Sequence, residues 1–195
     1  MNVEALNFIC VEGELEYGYI PGNEKVVLIK AGLGGDYRGY ENKYLRIARL
    51  LHEKHGCTVI SVSNPYEKNF GVSDDRAILE TVFRKLGIER PELYLFGNSD
   101  GCRKGLALAA EVSFRRMILV NMPLTINFHR TRRYLSLVPD TDVIAVYGEK
   151  DVSYPYAALL EGKSERVKVI RVPKADHNFA GKTEMFIALS ENLIV

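Results

Sequence analysis

Two hydrophobic periods alternate along this chain. From Lys25 onward, short unbroken apolar runs recur at Val26-Val27-Leu28-Ile29, Thr58-Val59-Ile60-Ser61-Val62, Leu93-Tyr94-Leu95-Phe96, Met117-Ile118-Leu119-Val120, Val143-Ile144-Ala145-Val146-Tyr147 and Val167-Lys168-Val169-Ile170-Arg171-Val172. Runs of this length suit strands buried on both faces of a parallel sheet. Between them lie helical spacings: Tyr44, Ile47, Ala48 and Leu51, then Ile78, Leu79, Val82 and Leu86, then the segment from Leu106 to Val112. Gly56 and Gly87 stand where the first two helices should stop, and Ser73-Asp74-Asp75 marks a helix start whose acids favour its positive end. Ahead of these, Ala5 to Tyr19 alternates loosely and Pro21-Gly22-Asn23 supplies turn chemistry, which predicts a twisted N-terminal hairpin or a pair of edge strands. Strand and helix in regular succession predict an α/β fold: a mostly parallel, doubly wound sheet with an N-terminal antiparallel hairpin and helices on both faces. No Pro/Gly/Ser-rich linker and no internal repeat breaks the succession, so residues 1–195 are expected to form one domain.

Composition narrows what such a domain can do. A chain of 195 residues, 47% hydrophobic and 26% charged, falls in the globular range and can bury about 70% of the surface its unfolded form exposes. Lys+Arg 26 against Asp+Glu 25 leaves a net charge of +1, too little to hold a polyanion or an anionic membrane, so neither nucleic acid nor membrane is expected as a partner. The start, Met1-Asn2-Val3-Glu4-Ala5-Leu6-Asn7, lacks the basic and apolar regions of a signal peptide. No apolar run approaches the ~18 residues of a membrane span. A cytoplasmic location is expected. Cys10, Cys57 and Cys102 are odd in number and lack metal-type spacing, which predicts reduced thiols and no metal site.

One motif carries chemistry. The strand ending at Phe96 runs into Gly97-Asn98-Ser99-Asp100-Gly101, and a helix follows; strand, G-x-S-x-G and helix together are the context of a nucleophile elbow. At this glycine and serine content the pattern is expected about 0.06 times per chain by chance. The turn strains the serine, and side chains two residues either way would collide with neighbouring backbone. A serine hydroxyl needs a base, and a histidine base needs a carboxylate to fix its tautomer. His52 and His55 sit at the end of the first helix, and His129 lies among Arg130, Arg132 and Arg133, which oppose an imidazolium. His177, in the loop Pro173-Lys174-Ala175-Asp176-His177-Asn178-Phe179 after the last strand, is the preferred base. Asp151, just past the strand Val143 to Tyr147, lies at the carboxyl edge where open α/β sheets place their sites. It is preferred as the acid over Asp176, Glu149 and Asp142.

With Ser99, Asp151 and His177 in the order nucleophile, acid, histidine, and with Val-Tyr-Gly-Glu-Lys-Asp and Ala-Asp-His-Asn-Phe around the last two, the chain resembles small α/β-hydrolase-fold serine hydrolases of esterase-like type. The resemblance spans nearly the whole chain. It implies an oxyanion hole built from the backbone N–H of Asp100 and one from Ala31-Gly32-Leu33-Gly34-Gly35, at Leu33 or Gly34. Many family members have His where this chain has Ala31. Only Leu124 to Thr141 separate Met117–Pro123 from the next strand, too few for a separate lid domain. Within that stretch the cluster from Arg130 to Arg133 is either a solvated helix face or a cationic rim for an anionic substrate.

A dinucleotide-binding reading of Gly32-Leu33-Gly34-Gly35-Asp36-Tyr37 fails because Tyr37 stands where the last glycine of G-x-G-x-x-G belongs. Cys102 is expected as a packing residue of the elbow helix. The resulting expectation is an enzyme that needs no cofactor, acting on a small-molecule ester or thioester through an acyl-enzyme. The alternatives are a peptidase or amidase on the same residues, or a binding module that keeps the fold without turnover.

Overall fold

In the computed structural model, which describes residues 9–11, 15–66, 71–126, 128–162 and 164–194, the apolar runs become neighbouring strands of one sheet. The elements in chain order are β1 (Ile9–Val11), β2 (Tyr17–Ile20), β3 (Asn23–Lys30), α1 (Lys43–His55), β4 (Cys57–Val62), α2 (Val72–Leu86), β5 (Glu92–Asn98), α3 (Asp100–Ala109), β6 (Arg116–Val120), α4 (Phe128–Ser136), β7 (Asp142–Gly148), β8 (Val167–Val172) and α5 (Thr183–Ala188). The sheet order is β1-β2-β4-β3-β5-β6-β7-β8. β1 with β2 and β2 with β4 are antiparallel, and every later pairing is parallel.

Strand alternation assigns residues to two cores. Val26, Leu28, Leu93, Leu95, Met117 and Leu119 face one side, with Ile78, Leu79 and Val82 of α2 and Leu106 of α3. Val27, Ile29, Tyr94, Phe96, Ile118 and Val120 face the other, with Ile47, Ala48 and Leu51 of α1 and Phe186 and Ile187 of α5. Each fully buried Leu, Ile or Phe contributes about 1.5–3 kcal/mol relative to exposure. Gly56 and Gly87 end α1 and α2 in the left-handed conformation, at φ 66° and 68°, where glycine avoids the Cβ penalty.

Two expectations shift. The turn at Pro21-Gly22-Asn23 does not close a hairpin of neighbours: β2 and β3 both flank β4, on opposite sides. The expected N-terminal antiparallel pair of edge strands is present as β1 with β2, while Ala5 to Phe8 and residues 12–14 of that stretch lie outside the described residues. β8 is not buried on both faces; it is the outer strand, with alternating exposure and Lys168 and Arg171 in its sequence, a composition that blunts a sheet edge. Among the described residues no helix is long and apolar enough to cross a membrane.

Candidate active site

The carboxyl ends of β4, β5, β6, β7 and β8 converge on Ser99. β5 passes through Ser99 into α3, holding this serine at φ 52°, ψ −124°, a conformation L-residues rarely adopt. The Ser99 N–H donates to the Val120 carbonyl at 2.8 Å, anchoring the bend to β6. Both flanking glycines are required by close approach: a Cβ on Gly101 would lie 2.3 Å from the Lys30 carbonyl oxygen, and one on Gly97 would lie 2.9 Å from Cys102 Cα.

The histidine and the acid meet the serine from two loops. His177 Nε2 lies 2.9 Å from Ser99 Oγ, and its Nδ1 is hydrogen-bonded to Asp151 Oδ2. Asp151 favours the tautomer with hydrogen on Nδ1, which leaves Nε2 to accept from the serine hydroxyl. The Asp151 side chain is 1% exposed and that of His177 44%, so the carboxylate is shielded while the imidazole remains within a ligand's reach. The other oxygen, Asp151 Oδ1, accepts the Ser153 N–H at 2.7 Å, and Ser153 Oγ accepts the Leu124 N–H. Asp176 is committed elsewhere: its Oδ1 accepts the N–H groups of Asn178 and Ala180 and folds the histidine loop. Glu149 accepts the Lys174 N–H, and Asp142 pairs with Arg116 and Arg166.

The glycine-rich loop after β3 approaches the elbow from the other side. Gly34 N–H donates to the Asn64 carbonyl at 2.7 Å, whereas the N–H groups of Leu33 and of Asp100, the first residue of α3, meet no acceptor among the described residues. Asn64 is fully buried and ties the loop to α3: its Nδ2 donates to the Ala31 carbonyl and to Asp100 Oδ2, each at 3.2 Å, and its Oδ1 accepts Lys104 Nζ at 2.7 Å. Asn121, also fully buried, accepts the Gly148 N–H at 2.9 Å and donates to the carbonyls of Asp176 and His177, so one side chain holds the acid and histidine loops together. Asn98 donates to the Tyr44 hydroxyl at 3.1 Å, and its Oδ1 is buried without a partner among the described residues.

A cavity of about 590 Å³ opens beside Ser99, lined by the Gly32–Asp36 loop, Tyr40, Lys43, Tyr66, Asn98 and His177 among others. Lys43 is buried against the rings of Phe186 and Tyr44, and burial lowers its pKa to about 8, with the Asp176 charge acting in the opposite direction. The arginines of α4 do not line this cavity; Arg130, Arg132 and Arg133 are exposed, and Arg130 lies over the Tyr134 ring. That matches a solvated helix face. Cys102 is buried, donates to the Val120 carbonyl, and has its thiol pKa pushed well up by burial. His52 and His55 fall in the last turn of α1, and His129 is exposed on α4. No three His, Cys, Asp or Glu side chains among the described residues are grouped to hold a metal ion.

The structure brings Ser99, His177, Asp151, Leu33, Gly34 and Asp100 to one place, together with Asn64, Asn98, Asn121 and Lys43, which the sequence did not single out. The asparagines shared a signal. Each stands at or just past the carboxyl end of an apolar strand, in Ser63-Asn64-Pro65, Gly97-Asn98-Ser99 and Val120-Asn121-Met122-Pro123, and a polar residue at a buried strand end must find partners.

No protein-family model matches the chain, and no curated protein matches its sequence. Solved structures do. An α/β serine hydrolase homologue from Coxiella burnetii superposes with a TM-score of 0.69 at 16% identity, covering 97% of this chain and 98% of that one. An α/β serine hydrolase without a lid from Xanthomonas campestris gives 0.69 at 19% identity, covering 96% and 95%. The thioesterase domain of the curacin biosynthetic pathway gives 0.65 at 14% identity, covering 95% and 99%. The chain has the α/β-hydrolase fold, in the form without a separate lid.

Proposed function

We propose that this protein is a serine hydrolase that cleaves a small ester or thioester through an acyl-enzyme. One observation carries the reading: the continuous hydrogen-bonded line from buried Asp151 through His177 to the strained Ser99 hydroxyl, open to a cavity. In the reaction Ser99 Oγ attacks the acyl carbon while its proton passes to His177 Nε2. The tetrahedral oxyanion is held by the N–H groups of Leu33 and Asp100. Gly34 is not the second donor, because its N–H is engaged by Asn64. Collapse breaks the bond to the alcohol or thiol, which leaves with the proton from His177. Water then attacks the acyl-serine, gives a proton to His177, and the acid departs as Ser99 recovers that proton. Asp151 stabilises each transient imidazolium and keeps its charge throughout. Hydrolases and a thioesterase among the similar structures support the reaction class.

The test is a fluorophosphonate label followed by a substrate panel of acyl esters, acyl-thioesters and aminoacyl amides. Wild type is expected to label at Ser99 and to turn over esters or thioesters. Ser99→Ala should abolish both while changing unfolding free energy by less than about 1 kcal/mol. Absence of label and of all turnover in folded wild type would make the protein a binding module; turnover of amides alone would make it an amidase.

A further inference from the structure

The cavity beside Ser99 contains a cation that the reaction above does not use. Lys43 is 5% exposed and lines the cavity. Its ammonium lies 4.2 Å from the Phe186 ring centroid and 5.3 Å from that of Tyr44. Among the described residues no carboxylate comes within ion-pair distance of it. Asp36 Oδ1 accepts the N–H groups of Arg38 and Gly39, Asp176 Oδ1 accepts those of Asn178 and Ala180, and Glu41 bonds the Thr183 hydroxyl; the Asp176 charge acts on Lys43 only from beyond ion-pair distance.

Local structure makes the placement costlier. Lys43 is the first residue of α1, where the helix dipole disfavours a positive charge. It follows two residues, Glu41 and Asn42, held at φ 53° and 55°, a left-handed pair that L-residues avoid. Ring faces offset part of the desolvation of an ammonium, but they supply no hydrogen-bond acceptor. Among the described residues no hydrogen-bond acceptor meets this ammonium, which lies at the unfavourable end of a helix and on the wall of the cavity beside Ser99; an anion brought in with a ligand would complete it.

We infer that Lys43 is a specificity-determining residue of the Ser99 cavity and that the preferred substrate carries a carboxylate close to its scissile ester. The inference rests on the hydrolase reading for the word substrate; the anion site itself stands on Lys43 and the cavity. A carboxylate fits better than a phosphate. One ammonium balances one charge, the arginines of α4 are absent from the cavity wall, and Asp36, which shares that wall, repels a dianion more strongly than a monoanion. With its pKa near 8, Lys43 is mostly protonated at neutral pH, as an anion site requires.

Matched esters test this. 4-Nitrophenyl hemisuccinate, with the carboxylate in the acyl part, is compared with 4-nitrophenyl pentanoate; 3-carboxyphenyl butyrate, with the carboxylate in the leaving group, is compared with phenyl butyrate. In at least one pair the anionic ester should show the higher kcat/KM in wild type, a readout that needs no variant. Lys43→Met should lower the anionic-to-neutral ratio by about tenfold or more, mainly through KM. A residue that only supports the fold would lower both members equally. Binding is measured separately by titrating succinanilic acid and butyranilide into Ser99→Ala and into Ser99→Ala/Lys43→Met. If fluorophosphonate labels Ser99 but neither pair shows a charge preference and the two anilides bind alike, the Lys43 inference is overturned and the hydrolase reading stands. If succinanilic acid binds selectively and Lys43→Met removes that selectivity, while no ester is turned over, the anion site stands and the hydrolase reading falls.

Discussion

Asp151 and Asp176 are both close to the His177 ring, and their oxygens show which one is hydrogen-bonded to the imidazole. Asp151 bonds Nδ1 of His177, whereas Asp176 bonds two backbone N–H groups of its own loop. Asp151→Asn should therefore retain the loop and favour the wrong tautomer, lowering kcat by about 10⁴ if the serine-protease precedent transfers. Asp176→Asn should cost far less in the same assay, and the reverse ranking would reassign the acid. Asn121 acts one step removed. Its replacement by Ala leaves the Gly148 N–H and the carbonyls of Asp176 and His177 without their partner, at about 1–3 kcal/mol for a buried group left unpaired. Urea unfolding should show that loss, together with a kcat deficit while the fluorophosphonate still labels Ser99 slowly. That Ser99, Asp151 and His177 would meet was legible in the sequence, because each sits in a local pattern whose chemistry calls for the next. Asn121 and Lys43 were not, because their meaning lies in partners far along the chain: loops more than fifty residues away for Asn121, and the Phe186 ring for Lys43.

Elements were legible where the chain marks its own boundaries. Gly56 and Gly87 end their helices as expected, and α2 begins at Val72, where Asp74 accepts the Gly71 N–H. The neighbouring Asp75 has a different task from the dipole role its position suggested. Its carboxylate is paired with Lys30, both side chains 1% exposed, joining α2 to the end of β3 just ahead of the glycine-rich loop. A sequence scan sees only an acid in a first helical turn and a lysine ending an apolar strand. Breaking the pair leaves a buried charge uncompensated, so Asp75→Asn should destabilise by about 3–5 kcal/mol in denaturant unfolding, while Lys30→Met/Asp75→Leu should recover most of it. Equal losses in the single and double variants would mean that packing around Lys30, and not charge, sets the cost. β8 was misjudged for a related reason: its apolar content suggested a buried strand, but its alternation with Lys168 and Arg171 belongs to an edge.

At the scale of the molecule, strand and helix succession gave the α/β class, but pairing order was not written in it. Periodicity marks a strand but not its neighbour, so it does not say that β2 lies on the far side of β4 instead of beside β3. The missing lid, in contrast, follows from simple length, because the segment between β6 and β7 accommodates only α4 and its flanks. This has a consequence for substrate range. The cavity beside Ser99 is walled by a backbone loop, tyrosines, Asn98 and Lys43, and α4 contributes nothing to it. A deep apolar pocket would add about 0.8 kcal/mol for each methylene, roughly fourfold in kcat/KM per carbon, until it filled. A wall carrying an ammonium offers little of that gain and is penalised when hydrocarbon covers it. For neutral 4-nitrophenyl esters, kcat/KM should accordingly peak at short acyl chains, about two to four carbons, and decline beyond them. A steady rise through the long chains would require an apolar cover over Ser99 that α4 or a second subunit supplies in solution.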